Sequence, residues 1–204
     1  MKKSILGLLS LFLVVSFTSN AQKVKLVKGD LSILKSEAIL NVEFIFNDFG
    51  VGKFKKEKEY TDKKVAEYNA DEAGRGDKWF AAWKADQQGR YPAKFIELYD
   101  RGMNKAGNAI INLNQSGTKY TMIVETTFLE PGFNAYVVKE YANCNLKIKI
   151  VETANKDNVI AELTIMKSPG RTYGLSDMDT GVRISEAYAA AGKALAKFVL
   201  KALK

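Results

Sequence analysis

The stretch from Tyr120 to the C-terminus constrains the fold most. Tyr120–Phe128 is rich in β-formers, and Met122, Ile123 and Val124 are contiguous and apolar, the pattern of a central strand buried on both faces. Leu146, Ile148 and Ile150 alternate with Lys147 and Lys149, so one face of a second strand is apolar and the other is charged. Asn155–Asn158 reads as a hairpin turn, and Ala161, Leu163 and Ile165 mark the partner strand. Val182, Ile184, Tyr188, Ala191, Leu195, Phe198 and Leu203 then recur at helical spacing. Ala189, Ala190, Gly192, Ala194 and Ala196 keep that helix slim enough to lie close against a sheet, Asp179 or Thr180 can cap it, and Lys193, Lys197, Lys201 and Lys204 share its solvated side. Strands with one face to cover, followed by a long slim helix, imply an α+β domain. The expectation is a mainly antiparallel sheet of about five strands covered by helices, with a long Ala-rich C-terminal helix.

The first half supplies further elements. Lys23–Lys28 and Leu31–Leu34 read as short strands around a Gly29-Asp30 turn. Leu40, Val42, Phe44 and Phe46 alternate with Asn41, Glu43 and Ile45, which places the first set on the core face of a strand. Thr61 is positioned to cap a helix out of the charged run Lys53–Lys64, with Val65 and Tyr68 as its apolar side. Gly74 and Gly76 interrupt it, and Asp77 caps a second helix bearing Trp79, Phe80 and Trp83. Arg75-Gly76-Asp77 spells an adhesion tripeptide but reads as this helix break. Tyr91-Pro92 starts a third helix with Phe95, Ile96, Tyr99 and Met103 inward and a stop at Gly107. Ser168–Met178, with Pro169, Gly170 and Gly174, reads as a loop.

The N-terminus has the order of a secretory signal. Lys2 and Lys3 precede an apolar run from Ile5 to Phe17, and the small residues Ser19 and Ala21 sit two apart before Gln22. The run is shorter than the roughly 20 residues a membrane-spanning helix needs. The expected organisation is a signal peptide over residues 1–21, cut near Ala21, and a single α+β domain over residues 22–204, located in the periplasm or secreted. The only cysteine is Cys144, so no acylated cysteine stands at the cut. That cysteine has no intramolecular partner; it is either a buried thiol or a dimer cross-link.

The chain contains no histidine, which removes Ser-His and Cys-His catalysis and the commonest metal ligand. Glu125 with Glu130, or Asp177 with Asp179, are the carboxylate pairs a histidine-free glycan hydrolase would draw on. Asp177, Asp179 and Glu186 are the oxygen ligands available to a hard cation, although Asp-Met-Asp lacks the glycine and terminal glutamate of a calcium loop. Capping and solvation explain these acids more economically, and no catalytic residue, metal site or cofactor is assigned. No phosphate-binding or nucleotide fingerprint and no nucleic-acid motif is present. The formal charge of +8 falls to +6 once Lys2 and Lys3 leave with the signal, a balance that serves solubility and is also compatible with an anionic envelope surface as a partner. The ligand-contact candidates are Trp79, Trp83 and Tyr91 of the aromatic group, which also includes Phe80 and Phe95, with Arg171 and Tyr173 of the loop; the alternatives are that the aromatics are the helical side of the core and that the loop is a plain surface connection.

Ile123-Val124-Glu125-Thr126-Thr127-Phe128-Leu129-Glu130-Pro131-Gly132-Phe133, together with Arg183-Ile184-Ser185-Glu186-Ala187-Tyr188-Ala189-Ala190-Ala191-Gly192-Lys193 and the Ala21-Gln22 junction, resembles a group of uncharacterised secreted proteins of Bacteroidetes-type bacteria. More distantly, the strands, hairpin and Ala-rich final helix resemble the small α/β domains of envelope lipoproteins, including the curli-secretion channel family. The resemblance implies envelope assembly or interaction rather than catalysis, and it transfers no site residues. The expected function is an exported, non-enzymatic binding or envelope-assembly module. Its partner is an envelope protein or a small ligand, and the alternative reading is a carrier or sensor of an amphipathic or carbohydrate ligand.

Overall fold

The computed structural model describes residues 22–104, 109–135, 138–172 and 179–204. The expected signal segment, the stop at Gly107, Gly174, Tyr173 and Asp177 lie outside them. In chain order the elements are β1 (Lys23–Gly29), β2 (Ile39–Ile45), β3 (Gly50–Val51), α1 (Glu57–Asp71), α2 (Arg75–Gln88), α3 (Arg90–Met103), β4 (Ile110–Leu113), β5 (Tyr120–Glu130), β6 (Phe133–Asn134), β7 (Lys139–Glu140), β8 (Ala142–Glu152), β9 (Asn155–Gly170) and α4 (Thr180–Ala202).

The fold is α+β, but the sheet corrects the expectation of about five mainly antiparallel strands. It has seven strands in the order β1-β9-β8-β5-β2-β4, with β3 also paired to β5. The β1–β9, β9–β8 and β8–β5 pairs are antiparallel, whereas β5–β2, β2–β4 and β5–β3 are parallel. The parallel half follows from the insertion of α1, α2 and α3 between β2 and β4, because parallel neighbours need a crossover rather than a tight turn. β6 and β7 form a separate two-stranded ribbon beyond the ends of β5 and β8.

Alternation decides the faces. Leu40 and Val42 of β2, Met122 and Val124 of β5, Leu146, Ile148 and Ile150 of β8, and Leu163 and Ile165 of β9 are buried. They meet Tyr91, Phe95 and Tyr99 of α3 and Ile184, Tyr188 and Leu195 of α4 in one core. Burying each such side chain is worth about 1.5–3 kcal/mol. Ile123 is only partly buried, so β5 is not sealed on both faces. The opposite face carries charge pairs, Lys147 with Glu162 at 3.2 Å and Lys156 with Glu43 at 2.7 Å. β4 and β5 flank β2, so the 114–119 connection has to pass that strand. Asn41 holds it there: its Oδ1 accepts from the Gln115 backbone N–H at 3.0 Å, and its Nδ2 donates to Thr121 Oγ1 at 3.3 Å.

Local readings are corrected at four places. Leu31–Leu34 is not a strand; Ser32–Lys35 forms a 3₁₀ turn that buries Leu31 and Leu34. Thr61 does not cap α1, which starts at Glu57; Thr61 is buried inside the helix and donates to the Lys58 carbonyl at 3.2 Å. Asp77 lies in the first turn of α2, which Gly74 precedes in a left-handed conformation (φ 79°). β9 runs on to Gly170, so the loop that follows is shorter than Ser168–Met178. Asp179 does cap α4, accepting from the Val182 N–H at 3.1 Å.

Cys144 is fully buried on β8, and burial pushes its thiol far above the ordinary range. A maleimide or disulfide reagent is therefore expected to leave the folded protein unmodified and to label it only as fast as it unfolds. Labelling of the native protein at the rate of a free peptide thiol would contradict this placement.

Candidate functional site

A groove of about 880 Å³ lies on the helical layer, between α3, α4 and the end of β9. Its walls form because α3 and α4 pack in close contact. A Cβ at Gly192 would fall inside the Phe95 carbonyl, and one at Gly102 would lie 2.6 Å from Ala196 Cβ. Ala189 and Ala190 of α4, with Leu98 and Pro169, give the groove a smooth apolar part. Lys94 and Arg101 of α3, Arg171 beyond β9 and Lys193 of α4 supply four cations against two acids, Glu97 and Glu186. Lys94 and Arg101 share one carboxylate: Glu97 accepts from Arg101 Nη2 at 2.6 Å and from Lys94 Nζ at 3.2 Å. Arg171 and Lys193 have no acidic partner at ion-pair distance among the described residues. Gln22 closes one rim, its Nε2 donating to Ser168 Oγ at 2.9 Å and to the Ala190 carbonyl at 3.2 Å.

The sequence-derived contact residues do not converge. Arg171 lines the groove, Tyr173 lies outside the described residues, and the aromatics lie elsewhere. Tyr91 is fully buried in the core, its ring stacked on Tyr188 at 5.1 Å and 8°, while Tyr188 Oη bonds Thr126 Oγ1 at 2.5 Å. Trp79 and Trp83 stack at 5.6 Å and belong to an aromatic seam with Tyr60 and Tyr68 that joins α1 to α2. Trp83 is buried, and its Nε1 donates to Glu57 Oε1 at 2.6 Å. Glu57 also accepts from Lys84 Nζ at 2.7 and 2.8 Å and from Gln87 Nε2 at 2.5 Å, so one carboxylate fixes the start of α1 to α2. Phe80 is the exposed member of the group.

A smaller pocket of about 260 Å³ opens beside this seam, lined by Tyr68, Trp79, Ala82, Trp83, Asp86, Asp179, Thr180 and Gly181. Arg90 bridges its two carboxylates, 3.1 Å from Asp86 and 3.4 Å from Asp179. Burial raises the Asp86 carboxyl above its usual range, Arg90 opposes that shift, and Asp179 adds to it.

Glu125 and Glu130 do not form a catalytic pair. They are five residue steps apart along the strand, about 16 Å at the usual rise, against roughly 5–9.5 Å for glycosidase carboxylates. Glu130 instead accepts from the Gly132 N–H at 3.1 Å. Among the described residues no three acidic or cysteine side chains group as metal ligands, and no helix is long and apolar enough to cross a membrane.

Lys94, Arg101 and Lys193 are groove residues that the sequence did not single out. Each looks like an ordinary solvated helix charge until α3 and α4 are brought together. The only advance signal was the i, i+4 spacing of lysines along α4.

No family model and no curated protein matches the chain. Among solved structures it is similar to the PelC dodecamer from Paraburkholderia phytofirmans, with a TM-score of 0.42 and 9% identity, covering 90% of this chain and 97% of that one. It is also similar to protein XCC0632 from Xanthomonas campestris, of family model DUF330, with a TM-score of 0.36 and 8% identity, covering 82% and 85%.

Proposed function

We propose that this chain is an exported, non-enzymatic binding module that engages anionic polymers or surfaces of the cell envelope through the α3–α4 groove. The observation that carries the reading is the groove's charge: four cations face two acids, and Arg171 and Lys193 lack an acidic partner among the described residues. A concave, partly apolar wall edged by uncompensated cations suits a carboxylated or phosphorylated polymer laid along it. Arg171 offers planar bidentate recognition of such groups, while the lysines act as point charges. Export rests on Lys2, Lys3, the apolar run and the Ser19–Ala21 pair; the mature protein is expected to begin at Gln22.

Polygalacturonate, lipopolysaccharide and phosphatidylglycerol vesicles are the probes, with dextran and phosphatidylcholine as neutral controls. Binding to at least one anionic probe is expected, with affinity falling steeply as salt rises. R171E combined with K193E is expected to weaken it about tenfold or more, with an unchanged unfolding midpoint because both residues are exposed. Equal binding to neutral and charged probes, or no loss in the double variant, would contradict the proposal.

A further inference from the structure

The small pocket beside the helical hairpin has the opposite character to the groove. Its walls are Tyr68, Trp79 and Trp83, and its far side is the Asp86 and Asp179 carboxylates. A ring of the same seam already attracts cations from the chain itself: Lys64 and Arg75 stand over Tyr68 at 5.6 and 4.9 Å. Neither Lys64 nor Arg75 lines the pocket, and among the described residues no cation stands over Trp79 or Trp83. Indole is the strongest cation-binding ring of the three aromatic types. Among the described residues Arg90 is the one cation bridging the two carboxylates, so their charge is only partly offset. Gly181 is part of this construction, because a Cβ there would collide with Asp86 Oδ2; any larger residue would push that carboxylate off the pocket wall.

We infer that this pocket binds an organic ammonium ion, with the cation against the partly buried Trp79 ring and its charge met by Asp86 and Asp179. A volume of about 260 Å³ admits a trimethylammonium headgroup or a single amino-sugar residue and little more. Both sources present the same chemistry, a positive nitrogen carried on apolar or ring carbon, and aromatic faces serve both. The inference does not rest on the anion-binding role of the groove, which is lined by α3 and the middle of α4, whereas this pocket is lined by α1, α2 and the start of α4.

The two tryptophans of the chain both line this pocket, so intrinsic fluorescence reports on it directly. Choline and glucosamine are titrated against their uncharged counterparts, 3,3-dimethylbutanol and N-acetylglucosamine. A saturable change in tryptophan emission with choline, glucosamine or both is expected, and the one that binds identifies the source; the neutral compounds are expected to give none. Asp179→Asn keeps a good helix cap while removing one charge, so it should leave the unfolding midpoint in place and weaken ammonium binding about tenfold. Absence of a saturable change with either cation at millimolar concentration, equal response to the neutral compounds, or unaltered binding in Asp179→Asn would each overturn the inference.

Discussion

Replacement of Arg183 by leucine is expected to lower the unfolding free energy by about 3–5 kcal/mol, since each buried acceptor left unpaired costs about 1–3 kcal/mol. Arg183 is 5% exposed. Its Nε donates to the Pro131 carbonyl at 3.1 Å, and one Nη donates to the Gly132 carbonyl at 3.2 Å and to Thr180 Oγ1 at 2.9 Å. It ties the turn after β5 to the first residues of α4. Leucine matches neither its reach nor its donors, so those acceptors lose their partner in a place water does not easily enter. Lysine is expected to recover only part of the loss, because a single ammonium cannot reproduce the planar fork. Thr180→Ala removes one contact and should cost about 1 kcal/mol. Urea unfolding of the three variants checks the order, and a leucine variant within about 1 kcal/mol of the parent would show that Arg183 is not the tie described.

Gly192→Leu is expected to be nearly as damaging, at about 3 kcal/mol or more. The cause is steric. A Cβ at this position would overlap the Phe95 carbonyl on α3, and backbone has no rotamer by which to retreat. The helices would have to part, opening the core around Phe95 and Leu195 and widening the groove above them. Gly89→Ala is the control: its Cβ would meet the Ala85 carbonyl at 3.4 Å, an ordinary contact, and the expected change is within about 0.5 kcal/mol. Thermal or urea unfolding of the pair separates crowding from a general intolerance of glycine replacement. Similar losses in both variants would refute the close-approach argument.

The sequence made long periodic elements readable and hid those that depend on distant partners. β8 alternates over nearly its whole length and β9 over Ala161–Ile165, and α3 carries Phe95, Ile96, Tyr99 and Met103 on one side, so these inward faces could be read from spacing alone, whereas Asn155–Asn158, which reads as a turn, is the start of β9. β3 has two residues and β4 four, too few for any period to register. The parallel half of the sheet depends on where three helices return the chain, which no local pattern encodes. Leu31 and Leu34 are three apart and buried together, a 3₁₀ spacing that resembles a short apolar strand when read as composition. Trp79 and Trp83 were legible as a stripe, but their use was not. The Glu57 that holds Trp83 lies 26 residues earlier and looks like one more charge in a lysine-rich run. The groove is the extreme case. Lys94 and Lys193 stand 99 positions apart, and only the glycine-mediated contact of α3 with α4 puts them on one concavity.

Mapping the anionic ligand on the folded protein tests the central claim most directly. With alanine methyls labelled, Ala189 and Ala190 report on the groove, Ala66 on the α1–α2 face and Ala82 on the aromatic pocket. Titration with whichever of the three anionic probes binds is expected to shift the Ala189 and Ala190 resonances progressively while Ala66 and Ala82 stay in place. Shifts centred on Ala66 or Ala82, or a spectrum unmoved at saturating ligand, would contradict the assignment of the groove as the binding site.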